Sequence, residues 1–353
     1  MSHFDPNALK EAPARAMEDF ADDSPAPAVL IEVARDGLSV RNATGTIELD
    51  GDRAASTDNT FEVGSQTKMM TSVIIQQLVG EGAIDFDAPL SEQMDLSGLE
   101  GIPNIEEVTV RELLANRSGI PDFDTVPGEG GLPAFIELLL ADPTQTLGPD
   151  GMLALVADQP ADFEPGEGYG YSNTNYLLLQ KLIEQTTGDS FAEVMSDRIF
   201  SVAGMDDSSM RSEGQTDGML RSYAELFPGD VIDVTDVPID FGASGGVVST
   251  TFRHDPFHGR VAGLSHAAAT RAIGRDAGLP CRGWHPKSGW RKPWSVVGHR
   301  VWATIHWVRR RYPGDKYSDL PACRIRYNLL HRDHPFGCGT YRIAGRRLRR
   351  NLQ

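Results

Sequence analysis

Cysteine is nearly missing from this chain: there are three in 353 residues, and none before position 281. A disulfide framework is therefore excluded for the first 250 residues, and one pair at most is available in the rest. No C-x-x-C pair occurs. The one pair of histidines four apart, His254 and His258, has Pro256 between them, which disfavours the helix that would align two imidazoles on a zinc ion. The expectation is no metal and no cofactor. Long apolar runs are lacking too, and no stretch approaches the roughly 20 residues that cross a bilayer as a helix. The opening MSHFDPNALKEAPARAMEDF has no apolar core like that of a secretory signal, so either a signal has been removed or the chain is cytoplasmic as written.

Positive charge is scarce in one part and negative charge in the other. Residues 1–250 hold 12 Lys+Arg against 45 Asp+Glu, a balance of −33, whereas residues 251–353 hold 21 against 5, a balance of +16, with no glutamate. The acidic part repels nucleic acid and reads as a solvated surface. Its carboxylate runs, Glu106-Glu107 and Asp122-Phe123-Asp124, read as loop or cap groups rather than metal ligands. The basic part also holds all five tryptophans and eight of the nine histidines. Such a shift marks a different domain, a basic tail, or a sequence of different origin. Arg309-Arg310-Arg311, Arg346-Arg347 and Arg349-Arg350 would serve a nucleic-acid-binding appendage, and Cys281, His285, Cys323 and Cys338 a metal site. The spacings argue against the metal, and nucleic acid is not the expected partner.

The chemistry lies in Ser65-Gln66-Thr67-Lys68 and, about a hundred residues on, Tyr171-Ser172-Asn173. A serine hydroxyl needs a base within hydrogen-bond reach before it can attack a carbonyl. If the segment is helical, Lys68 lies on the same face as Ser65. The run MMTSVIIQQLVGEG supports that helix, with Gly80 and Gly82 closing it and Met69-Met70 as core material. Ser65 at its start would meet the positive end of the helix dipole, which suits an oxyanion. Ala28 to Val33 and Leu38 to Ala43, around Asp36-Gly37, read as a hairpin, and Thr174 to Thr187 as a helix.

These blocks resemble the serine β-lactamase and penicillin-binding family, in the branch of class C β-lactamases, soluble D-alanyl-D-alanine carboxypeptidases and related esterases. Phe61-Glu62-Val63-Gly64 is similar to the strand and turn before that family's serine. Gly82-Ala83-Ile84-Asp85-Phe86-Asp87 is similar to the exit from its first catalytic helix. Val108 to Leu114 followed by Ser118-Gly119-Ile120-Pro121-Asp122-Phe123 resembles its serine-glycine-leucine loop, and Pro165 to Tyr176 is the closest match. The resemblance covers roughly residues 25–250. It implies an α/β (α+β) fold: an antiparallel sheet flanked by helices, a mostly helical second lobe, and Ser65 in the cleft between them. It further implies a serine hydrolase that forms an acyl-enzyme on a D-amino-acid peptide, β-lactam or ester. Ser65, Lys68 and Tyr171 would then be catalytic, and the Asn173 amide would hold the substrate's amide. A phenol beside a lysine ammonium has its ionised form favoured, so Tyr171 and Lys68 both stand as candidate first bases. A catalytically silent relative that keeps the pocket for binding is one alternative, and nucleic-acid binding through the basic C-terminal segment is the other. Members of this family often work outside the cytoplasm.

The implied domain division is a helical lead-in over 1–24, the hydrolase region over 25–250, and a basic segment over 251–353. The likeness stops after Gly245-Gly246-Val247-Val248-Ser249-Thr250. Read one base later, the codons for Phe252 through Gly259 permit serine, aspartate, methionine, threonine, arginine, phenylalanine, methionine, a family-like helix start. Those from Trp307 into Tyr312 permit glycine-tyrosine-glycine, and those from Ala322 into Ile325 permit histidine-x-glycine, the family's third motif. The segment from about 251 onward thus reads as the product of a frameshift. Lys287-Ser288-Gly289 also matches the third motif, but its proline-flanked surroundings do not resemble a central strand. A chain without the family's later strands and last helix is expected to fold poorly or to be a weak catalyst.

Overall fold

The computed structural model describes residues 17, 26–35, 38–211, 216–227 and 230–251. Strands β1 (Ala28–Arg35) and β2 (Leu38–Gly45) form the expected hairpin, in antiparallel register from Ala28 opposite Gly45 to Arg35 opposite Leu38. Met17 is buried beside Val29 and Ile31 of this hairpin. After β3 (Phe61–Glu62), a turn of 3₁₀ helix over Gly64–Gln66 leads into α1 (Thr67–Gly80).

Helix α1 buries Thr67, Lys68, Met70, Thr71, Ile74, Ile75 and Leu78, the three- and four-residue spacing that gathers one face. The two methionines part company here. Met70 is buried, but Met69 is 57% exposed, so only one of the expected pair is core. A residue one position along is rotated about 100°, enough to leave the buried face.

Three short helices, α2 (Val110–Leu114), α3 (Ala134–Ala141) and α4 (Pro149–Ala154), precede the central one, α5 (Thr174–Thr187). Helix α2 starts in a capping box between Thr109 and Glu112, each side chain bonding the other's backbone N–H. Helix α5 has the bounds expected from sequence and stops at Gly188 in the left-handed conformation. Thr174 through Gln180 are all buried, and so are Leu182 and Ile183. A helix buried nearly all round lies inside the molecule, not on its surface. It packs against α1, α2, α4, α6 (Phe191–Met195) and α7 (Gly242–Gly245).

Among the described residues the strands fall into three small antiparallel ladders: β1 with β2, β5 (Tyr223–Phe227) with β6 (Asp230–Asp233), and a three-stranded group. In that group β7 (Val247–Ser249), wholly buried, lies between β3 and β4 (Ser209–Met210), pairing Phe61 with Ser249 and Ser209 with Val248. Arg211 straps it from outside. Its guanidinium meets the Glu62 carboxylate and donates to the Thr235 and Val237 carbonyls at 2.6 and 2.9 Å. The result is the mixed helix-and-sheet fold anticipated, with β7 pressed against the start of α1 through Val63 N–H to the Val247 carbonyl. Among the described residues no helix is long and apolar enough to cross a membrane.

Candidate active site

Gly64 precedes the serine at φ 57°, a left-handed conformation in which a side chain is strained. That turn carries the chain from β3 into the 3₁₀ helix and leaves Ser65 exposed at the N-terminal end of α1, while Lys68, one turn on, is 6% exposed. The amine lies 3.2 Å from Ser65 Oγ and donates to Asn173 Oδ1 and to the Ser244 carbonyl, each at 2.6 Å. Ser65 Oγ is also 2.7 Å from the Tyr171 hydroxyl. Residues 106 apart in sequence therefore meet at one hydroxyl.

The loop after α2 holds the second half of this cluster. Asn116, at φ 55°, accepts the Gly170 N–H on its carbonyl and the Ser172 N–H on its side chain. The Pro121 carbonyl accepts from Ser172 Oγ and Thr174 Oγ1, and the Thr174 hydroxyl in turn accepts the Phe123 N–H. Asp122 accepts the backbone N–H of Asn173 at 2.9 Å and its side-chain N–H at 3.1 Å. The Ser118 to Phe123 loop is thus a clamp on Tyr171 and Asn173. On the far side, Gln180 of α5 accepts the Ala243 N–H, and Thr71 of α1 donates to the Ala243 carbonyl, which fixes the Ser244 carbonyl on Lys68.

Burial outweighs the other influences on Lys68 and lowers its pKa to about 8, although the carboxylates of Asp122 and Asp124 pull it upward. Three acceptors surround the ammonium. Once neutral, the amine keeps two N–H groups for the close acceptors Asn173 and Ser244, and its lone pair is left for the more distant serine. Tyr171 departs from expectation. Burial, reinforced by the negative charge of Asp122 and Asp124, pushes the phenol above its ordinary pKa despite the hydrogen bond with Ser65. The Lys68 nitrogen lies 5.0 Å from the Tyr171 ring centroid, near the face and not on the phenolic oxygen. The expected favouring of the phenolate does not occur, because desolvation is the larger effect.

Asn173 is fully engaged inside the site, its oxygen on Lys68 and its nitrogen on Asp122 and, at 3.3 Å, Asp124. Asp122 is buried, and burial together with the Asp124 charge raises its pKa to about 7. Sequence reasoning took both aspartates for loop carboxylates and missed them. The place of Asp122 in the Ser118 to Phe123 block, with Asp124 directly after that block, was the signal available. No group of described residues has the composition of a metal site. Lys287, the Arg309 and Arg346 clusters, Cys281, His285, Cys323 and Cys338 lie outside the described residues.

Fold and cluster together define a class: serine, lysine and tyrosine converging at the head of a buried helix, in a mixed helix-and-sheet domain. The chain belongs to the β-lactamase family, whose model, described as "Beta-lactamase", matches residues 14–252. It is 32% identical over 207 residues to a D-aminopeptidase of Brucella anthropi, a match covering 58% of this chain and 36% of that protein. To penicillin-binding protein 4 of Amycolatopsis lactamdurans it is 28% identical, covering 52% of this chain and 44% of the other. The chain thus spans less than half the length of these curated relatives. Among solved structures it resembles the penicillin binding protein from Bacillus halodurans at TM-score 0.57, with 22% identity and 82% of each chain covered. It also resembles the D-amino acid amidase from Ochrobactrum anthropi SV3 at TM-score 0.54, with 22% identity, 69% of this chain and 66% of that one. At such identities these likenesses speak for the fold.

Proposed function

We propose that this chain is a serine hydrolase that forms an acyl-enzyme on Ser65. The observation that carries the reading is the meeting of Ser65 Oγ with the Lys68 amine at 3.2 Å and the Tyr171 hydroxyl at 2.7 Å. Lys68, with a pKa near 8, takes the serine proton as Oγ attacks the carbonyl. The carbonyl oxygen becomes an oxyanion beside the N-terminal end of α1. Tyr171, protonated because its pKa is raised, donates a proton to the leaving amine or alkoxide and recovers it from Lys68. Water then releases the acid and regenerates Ser65. Asn173 accepts a hydrogen bond from Lys68 and contacts the substrate's amide only if its nitrogen leaves Asp122.

The substrate class follows from the relatives' names: a peptide or amide of a D-amino acid, with β-lactams and esters as activated analogues. The test is covalent labelling of the full 353-residue chain by a fluorophosphonate and by a penicillin, with the adduct mapped by mass spectrometry. Label on Ser65 that is lost in Ser65→Ala supports the reading; penicillin retained without acylation would instead identify a silent binding relative.

The division into a lead-in over 1–24, a hydrolase region over 25–250 and a basic segment from 251 is part of the same proposal. The family match ends at residue 252, where the charge balance reverses. Codons of the gene beyond Thr250 that cannot spell the serine-aspartate-methionine and histidine-x-glycine blocks in the next frame would exclude a frameshift.

A further inference from the structure

An asparagine side chain has two ends of similar shape and opposite chemistry, an oxygen that only accepts and a nitrogen that only donates. Which end faces Lys68 decides whether the amine meets an acceptor or a competing donor. In this site the choice is made from behind. The Asp122 carboxylate takes the Asn173 backbone N–H at 2.9 Å and the side-chain N–H at 3.1 Å, and Asp124 lies 3.3 Å from the same nitrogen. Once ionised, above about pH 7, the carboxylate offers only acceptors there, so a single orientation satisfies the amide, with Oδ1 on Lys68 Nζ at 2.6 Å.

We propose that Asp122, backed by Asp124, is a positioning residue of the acyl-transfer site: it locks the oxygen of Asn173 toward Lys68 and keeps negative charge behind the amine. The proposal rests on the reading of Ser65 and Lys68 given above. The groups facing Lys68 are Ser65 from the turn before α1, Tyr171 and Asn173 from the segment leading into α5, Tyr176 from α5 itself, the Ser244 carbonyl from α7, and the two aspartates. Above about pH 7, where Asp122 has given up its proton, the aspartates are the anionic groups of this set. Their charge opposes the effect of burial on Lys68. Replacing Asp122 by asparagine removes that charge and presents an N–H₂ group beside Asn173, so the Asn173 amide is free to flip.

The test is direct titration of Lys68 by NMR of the full chain labelled with [ε-¹³C]lysine, its resonance assigned by loss in Lys68→Met. The wild-type midpoint is expected near pH 8, and Asp122→Asn should lower it by about one pH unit. Asp124→Asn should shift it the same way by less, and carries the test should Asp122→Asn not fold. Fluorophosphonate labelling of Ser65 in Asp122→Asn should have its acid limb displaced downward and a slower plateau. A Lys68 midpoint that stays in place in both folded variants overturns the proposal, even where labelling slows, because lost packing alone slows labelling and leaves the titration where it was. If the midpoint moves but wild-type Ser65 takes no label, the acyl-transfer reading fails and the positioning role stands.

Discussion

Replacing Lys68 by methionine should remove a rise in stability with pH that the wild-type chain shows on the alkaline side of neutrality. Lys68 is 6% exposed, and its pKa falls from 10.5 to about 8 on folding. Between those values the unfolded chain holds a proton that the folded chain has released, so stability climbs as pH rises. Tyr171 and Tyr176, both raised by burial, act in the opposite sense above about pH 10, because folding then retains protons that the unfolded chain loses. The clear window is therefore about two pH units, worth about 3 kcal/mol in total. Asp122 works in reverse on the acid side. Its pKa rises from 3.8 to about 7, so the stability it contributes is present below pH 3.8 and is lost as pH rises through 7. Together the two groups place a local minimum of stability between about pH 7 and 8. The assay is urea unfolding at half-unit steps from pH 6 to 10, comparing wild type with Lys68→Met. The difference between them should grow by about 2 kcal/mol in favour of the wild type from pH 8 to 10. Parallel curves across that window would refute the claim that the amine is desolvated, and with it the source of its basicity.

Tyr171→Phe removes the 2.7 Å partner of Ser65 Oγ from a side chain that is 47% exposed. Labelling of Ser65 should slow by about a hundredfold or more, while the urea midpoint stays unchanged. Arg211→Met strands the Glu62 carboxylate beside the three-stranded ladder, where the two side chains are 11% and 18% exposed. Loss of about 3 to 5 kcal/mol in unfolding free energy is expected, with partial recovery on adding Glu62→Gln. Gly242→Ala puts a Cβ 2.1 Å from Gln180 Oε1 at a position with φ 46°. That displaces the turn carrying the Ser244 carbonyl, so labelling should fall together with thermal stability, and the Lys68 resonance should move.

Where the structure agrees with the sequence, the interactions are local ones. Helix α5 stops where expected because its C-terminal end is set within the chain, by Gly188 in a left-handed conformation. The β1–β2 hairpin is present for the same reason, its strands extending two residues beyond the expected ends. Ser65 and Lys68 were legible as a pair because three residues along a helix bring side chains to one face. The exposure of Met69 was not, since the fold and not the apolarity of the side chain decides which neighbours cover a helix face. Nor was the acidity of Tyr171, for which the deciding quantity is burial.

The order of its blocks, the Ser65 to Lys68 spacing and the reversal of charge after residue 250 belong to the amino-acid sequence alone. Those features place the chain in its family and point to its nucleophile, since spacing along a helix and composition need no fold to be read. Tertiary structure decided that Lys68 is buried enough to lose its proton near pH 8 and that Tyr171 keeps its own. It also decided that two aspartates stand behind Asn173. Proton affinity in a folded chain depends on how much water has been removed and which charges lie within a few ångströms, and both are set by segments distant in sequence.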